Sequence, residues 1–243
     1  MLLINDIIRE FKKCDIPIDK QKAAMFMLYY RLLVQENKKY NLTRIISPEN
    51  VLEEHFLDSL IGFQKTSNKT DEELLDLGSG AGFPGIPLKI FLPDLKLTIV
   101  DASQKKINFL RLLVRELELN QITLKHKRAE DLGRGKGRES YSWVTARALA
   151  PLTVAAELAL PLLKEGGYFW AFKGPNASSE LQRAEEIIER CGGKLINTIN
   201  YSLPNSKKER IILIFKKIKK ADKLFPRKAG IPQKRPLEKK IIF

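Results

Sequence analysis

Leu74-Leu75-Asp76-Leu77-Gly78-Ser79-Gly80-Ala81-Gly82-Phe83-Pro84-Gly85 decides how the rest of the chain is read. A short apolar run closed by an acid is the signature of a strand buried on both faces of a parallel sheet. The glycines after it let the backbone turn sharply and leave the main chain bare to a ligand. Pro84 and Pro87 sit where a helix begins, the one place a helix tolerates proline. Strand, glycine loop and helix in that order place a nucleotide-type site at the carboxyl end of a first strand.

Gly80-x-Gly82-x-x-Gly85 satisfies the dinucleotide fingerprint, a weak signal by itself. Two features favour S-adenosylmethionine instead. Asp76 lies two residues before the first glycine, where a carboxylate meets an ammonium directly or through water. A pyrophosphate needs the opposite, a helix N-terminus open to an anion. The glycines also begin at Gly78, so the dinucleotide register is out by two.

Downstream, strands and helices alternate, which predicts a doubly wound sheet. Expected strands are Leu74–Leu77, Leu95–Asp101, Ile122–His126, Tyr141–Thr145 and Tyr168–Phe172. Lys194–Leu203 and Arg210–Phe215 are expected to pair as a closing antiparallel hairpin. Ser103 reads as a helix cap, and Ser179 with Gln182 as a capping box. Gly78, Asp101, Glu130, Arg147 and Lys173 then fall together at carboxyl ends of parallel strands, the ligand-binding edge. Asp101 follows Gly78 by 23 residues, and one carboxylate there accepts hydrogen bonds from two ribose hydroxyls.

Upstream, Ile4, Ile7, Ile8 and Phe11 recur at helical spacing, as do Ala23, Phe26, Met27, Tyr30, Leu33 and Val34, with Asp19 as cap. Tyr40 to Arg44 is a polar break, and Ser47-Pro48-Glu49 restarts a helix. The division expected is a helical head over 1–66, a catalytic domain over 67–216 with Ser67–Thr70 as connector, and a basic C-terminal tail over 217–243.

The 243 residues suit one large core with a modest attachment. No apolar run reaches the roughly 20 residues that cross a bilayer, and the N-terminus does not read as a secretory signal. Cys14 and Cys191 are distant and single, so neither a metal site nor a disulfide framework is expected, and a cytoplasmic protein is. Net charge is +14, and eleven Lys/Arg against two acids from Lys216 onward carry +9 of it. Phe225, Pro226, Ile231 and Pro232 interleave with those bases, which favours contact with a phosphate backbone over mere solvation. Cutting at Lys216 is expected to weaken RNA binding and to leave cofactor affinity intact.

The rim lacks the usual catalytic groups. There is no nucleophile elbow or P-loop lysine, and neither cysteine sits in an activating motif. His126 reads as a filler in a strand; His55, with Asp58 one turn on, reads equally as structural or functional. Methylation of an exocyclic amine commonly uses an Asn/Asp-Pro-Pro-aromatic clamp after the fourth strand, where this chain has Thr145 to Pro151 without one. Methylation of pyrimidine carbon five needs a cysteine nucleophile, also missing from the rim. A purine N7 carries a free lone pair and no proton, so in-line displacement asks only for positioning and electrostatics.

These residues resemble the bacterial small-subunit ribosomal RNA guanine-N7 methyltransferases, the RsmG or glucose-inhibited division protein B family. The resemblance rests on Tyr40-Asn41-Leu42-Thr43, His55-x-x-Asp58-Ser59, Asp76 to Gly85, Arg128-Ala129-Glu130-Asp131, Ala146-Arg147-Ala148 and Phe172-Lys173-Gly174. It implies an α/β fold, a Rossmann-like class I S-adenosylmethionine-dependent methyltransferase sheet, with the helical head as an extension. It implies cofactor contacts at Gly78, Phe83, Ala129, Glu130 and Arg147, with Asp101 on the ribose and Gly80 in the loop. Asn41, Arg44, His55 and Lys173 match positions facing the RNA, and with Arg147 they are the candidate catalytic set. The implied partner is 16S ribosomal RNA or the small-subunit particle, with no membrane and no metal. Ala102 stands where relatives often place serine, and the segment Phe225 to Pro232 resembles an extension found in part of the family.

Two other readings stay open on the sequence. One is a methyltransferase acting on a protein or small molecule, against which the basic tail counts. The other is an RNA-binding module with a degenerate nucleotide fold, against which Asp76, Asp101 and Glu130 count.

Overall fold

A single seven-stranded sheet organises the chain, in the order β3-β2-β1-β4-β5-β7-β6. The computed structural model describes residues 2–65 and 73–238. The expected connector Ser67–Thr70, the boundary at 66/67 and the bases Lys239 and Lys240 lie outside those residues. Strands β1 (Leu74–Leu77), β2 (Leu97–Asp101), β3 (Ile122–His126), β4 (Tyr141–Arg147) and β5 (Leu163–Lys173) run parallel. β6 (Gly193–Ser202) and β7 (Glu209–Lys217) form the expected hairpin, with β7 inserted antiparallel beside β5.

β1 is buried along its whole length because helices cover both faces of the sheet. On one face, α5 (Gly85–Phe91) and α6 (Gln104–Glu116) share a continuous apolar core with α1 (Ile4–Lys13) and α2 (Lys20–Tyr40). α7 (Ala129–Gly133), α8 (Leu152–Ala159) and α9 (Ala177–Arg190) belong to the core on the other face. The strand order reverses between β1 and β4, so a crevice opens at their carboxyl ends.

Local departures from the expected pattern have local causes. β4 runs two residues past Thr145 because Ala146 and Arg147 pair with Ala171 and Phe172. β5 begins at Leu163, five residues early, because Leu163 pairs with Tyr141 across an irregularity in the ladder. α9 starts at Ala177 with Asn176 in the cap position, so Ser179 and Gln182 lie inside it and form no capping box. Ser103 does precede α6, but its hydroxyl makes no cap; the carboxylate of Asp101 accepts the Ser103 N–H instead. Asp19 caps α2 through the Lys22 N–H as expected.

The third helix of the head is not plain α. α3 (Pro48–Asn50) passes into a π-helical stretch, Val51–Leu57, and then into α4 (Asp58–Gln64). The widened turn displaces carbonyls from the regular ladder, a geometry found often at functional sites.

The segment after β7 is folded onto the body. Phe225 is 1% exposed within the second core. Arg138 donates to the carbonyls of Ala221 and Phe225, and Arg227 pairs with the buried Glu157 at 2.6 Å. A last short helix, α10 (Ile231–Lys234), follows. Charge alone suggested a solvated arm; the interleaved apolar residues are what anchor it.

Candidate functional site

The glycine loop is held from beneath by Asp76. Its carboxylate is fully buried and accepts the Ser79 hydroxyl, the Gly85 N–H at 2.9 Å and the Thr145 hydroxyl at 3.2 Å. Burial pushes its pKa up to about 6, against those three bonds. Asp76, expected to meet a ligand ammonium directly or through water, lines neither cavity, and three of its lone pairs are on this segment and Thr145. Gly85 is required there, since a side-chain carbon would sit 2.7 Å from the Asp76 oxygen. Tyr29 of α2 buttresses the loop from above by donating to the Ala81 carbonyl at 2.6 Å and stacking on Phe83.

Two adjoining cavities open on this edge of the sheet, both lined by Gly78 and Ala150. The smaller, about 210 Å³, is walled by Asp101, Ala102, Ala129, Glu130 and the apolar Val154 and Leu158. Asp101 uses one lone pair on each oxygen, for the N–H groups of Gly80 (3.0 Å) and Ser103 (2.8 Å). The larger, about 630 Å³, is walled by Gly80, Phe83, His55, Arg147, Lys106 and Lys173 among others. Gly78 has φ +68°, and a side chain there would also meet Leu149.

Arg147 ends β4 and reaches into the head. It donates to the carboxylate of Asp58 at 3.1 Å and to the carbonyl of Glu54, within the π-helical stretch, at 3.3 Å. It also donates to Nδ1 of His55 at 3.3 Å. An arginine has no acceptor, so Nδ1 bears the lone pair and Nε2–H faces the Thr43 hydroxyl at 3.1 Å. The imidazole stacks on Phe83, with ring centroids 4.2 Å apart. Burial, reinforced by the Arg147 charge, pushes the His55 pKa down to about 3. Asp58 in turn accepts the Tyr201 hydroxyl at 2.8 Å and faces Arg210 at 3.4 Å.

The expected site residues thus divide. Gly78, Gly80, Phe83, Arg147, His55 and Lys173 line the larger cavity, and Asp101, Ala129 and Glu130 the smaller. Lys173 binds Glu180 and the Ala150 carbonyl, each at 2.8 Å, and Glu180 also accepts the Leu152 N–H, so the pair fixes the β4–α8 loop. Asn41 and Arg44 are not brought to the cavity wall. Asn41 is exposed in the left-handed conformation that ends α2, and Arg44 is exposed beside Thr43 and Ile45, which do line it. His126, exposed and bonded to the Ala102 carbonyl, is a surface residue. Sequence reading missed Tyr29, Tyr201 and Arg210. Tyr29 and Tyr30 stand three and four residues after Phe26, so helical spacing fits both, and the expected apolar face includes Tyr30 instead. Among the described residues no cluster of three His, Cys, Asp or Glu is placed to hold a metal, and no helix is long and apolar enough to cross a membrane.

Known proteins of this pattern match the chain over most of its length. Residues 22–212 match the family model GidB, rRNA small subunit methyltransferase G. The chain belongs to this family. The ribosomal RNA small subunit methyltransferase G of Staphylococcus saprophyticus is 46% identical over 225 residues, covering 93% of this chain and 94% of the relative. That of Lactobacillus acidophilus is 43% identical over 236 residues, 96% and 98% of the two chains. A solved structure, M. jannaschii TYW2 in complex with AdoMet, shares the fold with TM-score 0.52 at 15% identity, over 72% of this chain and 80% of that one.

Membership makes the sheet that of a class I methyltransferase and S-adenosylmethionine the cofactor. The residues fit that group. Gly78 gives both cavities bare main chain, and Asp101 lines the smaller one with a single main-chain N–H on each oxygen and Lys106 at 3.7 Å from one of them, which leaves acceptor capacity for a ligand. The apolar pair Val154 and Leu158 offers a surface for a flat base.

Proposed function

We propose that this family member methylates N7 of a guanine in small-subunit (16S) ribosomal RNA, by direct in-line transfer without a general base. The observation that carries this reading is the state of every group in the larger cavity able to accept a proton. His55 has its pKa near 3 and its free lone pair on Arg147. Asp58 lies between Arg147 and Arg210, Glu54 faces Lys208 and Arg210, and Glu180 is paired with Lys173. A site whose bases are all engaged suits an acceptor that loses no proton, and guanine N7 is one.

Bound there, S-adenosylmethionine supplies an electrophilic methyl group on a sulfonium. On this reading Asp101 accepts the ribose hydroxyls, and Ala129 and Glu130 flank the base. Gly78 and Gly80 give the main chain close approach. Phe83, stacked between His55 and Tyr29, forms a rigid floor beside the reacting centre. Arg147 sits over that ring, its centre 5.0 Å from the centroid, and orients the floor and the head together. Lys173 acts as a positioning residue through the β4–α8 loop. The division of labour follows the expected segments: the head (1–66) presents the RNA with Asn41 and Arg44 at its exposed break, 67–216 holds the chemistry, and 217–243 adds basic surface. The small subunit or its RNA is the partner, and the cytoplasm, where that RNA is, the place of work.

The test is incubation of small subunits and of naked 16S RNA with methyl-labelled S-adenosylmethionine, then mapping of the labelled base. Label recovered as N7-methylguanine at one position is the expected result. Label on a ribose hydroxyl, an exocyclic amine or a protein would overturn the reading.

A further inference from the structure

Resting on the reading that the smaller cavity takes the nucleoside, we propose that the C-terminal segment from Arg227 to Gln233 is a wall of that cavity, with the Gln233 amide binding the edge of the adenine base. Both Gly230 and Gln233 line it, together with Asp101, Ala102 and Glu130. The placement is built. Arg227 gives Glu157 its main-chain N–H at 2.9 Å and two guanidinium nitrogens, and Glu157 is 1% exposed. Three residues on, the Gly230 N–H donates to Oε1 of Glu130 at 2.8 Å. Phe225 and Pro226 dock below, Pro226 against Gly133.

Gln233 follows those anchors; it is exposed, lines the cavity, and among the described residues its amide makes no hydrogen bond that would hold it away from a ligand there. A carboxamide carries a donor and an acceptor side by side, as does the N1 and 6-amino edge of adenine in the reverse order. The outer side of the same segment carries the exposed Lys228, Lys234 and Arg235. One stretch of chain therefore serves both ligands, the cofactor on its inner side and the RNA phosphates on its outer side. The expectation that removing this segment spares cofactor affinity is replaced by the opposite one.

Calorimetry tests this with S-adenosylhomocysteine and with its analogue that has hydrogen in place of the 6-amino group, which removes one of the two hydrogen bonds and offers the amide no alternative pairing. The intact chain should prefer the adenosyl ligand about tenfold or more. Gln233→Leu should bind it about tenfold more weakly and lose the preference, with the unfolding midpoint of the ligand-free protein unchanged. Deleting 229–243, which keeps Phe225, Pro226 and Arg227, should weaken binding at least as much. Heat from the intact chain together with unaltered affinity and preference in Gln233→Leu would overturn this inference alone. No heat from the intact chain would overturn the proposed function with it.

Discussion

Arg147, the last residue of β4, donates to the carboxylate of Asp58, the first residue of α4, at 3.1 Å, with side chains 13% and 5% exposed. That pair ties the helical head to the sheet at the cavity. Removing one member of a buried ion pair leaves the other charge uncompensated, which costs roughly 3–5 kcal/mol. Asp58→Ala takes the carboxylate from Arg147, leaves Arg210 with Glu54 alone and leaves the Tyr201 hydroxyl only the main-chain carbonyl of residue 58, at 3.3 Å. We expect a loss of that size in denaturant unfolding, and methyl transfer reduced more than cofactor affinity, because Asp58 faces the head side. Stability within 1 kcal/mol of the parent, a value well below the expected cost, would rule out the pair as the tie.

His55 supplies the pH prediction. Its folded pKa, about 3, lies below its ordinary value of 6.5, so the unfolded chain binds the extra proton in between. Its contribution to stability is full above about pH 6.5 and declines as pH falls toward 3. Asp76 opposes this, because its pKa is raised from 3.8 to about 6: its contribution is full below about pH 4 and declines as pH rises through 6. In histidine-labelled protein the His55 imidazole should stay neutral, with Nε2 protonated, from pH 8 to pH 5. Protonation with a midpoint near 6.5 would refute the assignment. His55→Gln should flatten the acid side of the stability curve.

How much of this was legible follows from what each feature depends on. β1 and its loop were readable because a strand buried on both faces is apolar throughout and a turn of this shape requires glycine. The π-helical stretch was not, since Val51 to Leu57 carries an ordinary helical pattern, and its widened turn becomes visible only when Arg147 arrives from 93 residues away in sequence at the Glu54 carbonyl. Tyr29 and Tyr30 are adjacent, and only the packing of α2 decides that the first faces Phe83. Asp76 was legible as an acid before the first glycine, but that its carboxylate organises the loop depends on Ser79, Gly85 and Thr145 being brought to it by the fold. The C-terminal segment misled through charge, because exposure of its lysines and burial of Phe225 are both true of one stretch.

Asp76→Asn tests the loop. An amide nitrogen in place of one oxygen puts N–H beside a donor, so at least one of the bonds from Ser79, Gly85 or Thr145 is lost. A buried donor left unpaired costs about 1–3 kcal/mol. We expect S-adenosylmethionine affinity to fall about tenfold or more, the equivalent of 1.4 kcal/mol. Affinity equal to that of the parent would show that the loop holds its shape without this carboxylate.

Gly78→Val meets two obstacles that one further change separates. The backbone there is left-handed, which costs a residue with a side chain about 1–2 kcal/mol, and the new carbon would lie against Leu149. Pairing it with Leu149→Ala removes the contact and leaves the backbone problem. Both variants should bind S-adenosylmethionine at least about tenfold more weakly than the parent. Full recovery in the double variant would locate the requirement for glycine in the Leu149 contact alone.

Lys220, Lys223 and Lys228 are exposed and lie outside both cavities. If they meet RNA phosphates, each neutralised contact releases condensed counterions and adds about 0.7–0.9 to the slope of log K against log salt. Changing the three to glutamine should lower that slope by about 2 and weaken RNA binding most at low salt. Cofactor affinity should hold in this variant, because Arg227, Gly230 and Gln233 are untouched. That separates the outer role of the segment from its inner one. An unchanged salt slope with weakened binding would mean that the lysines act through folding of the segment rather than through the phosphate backbone.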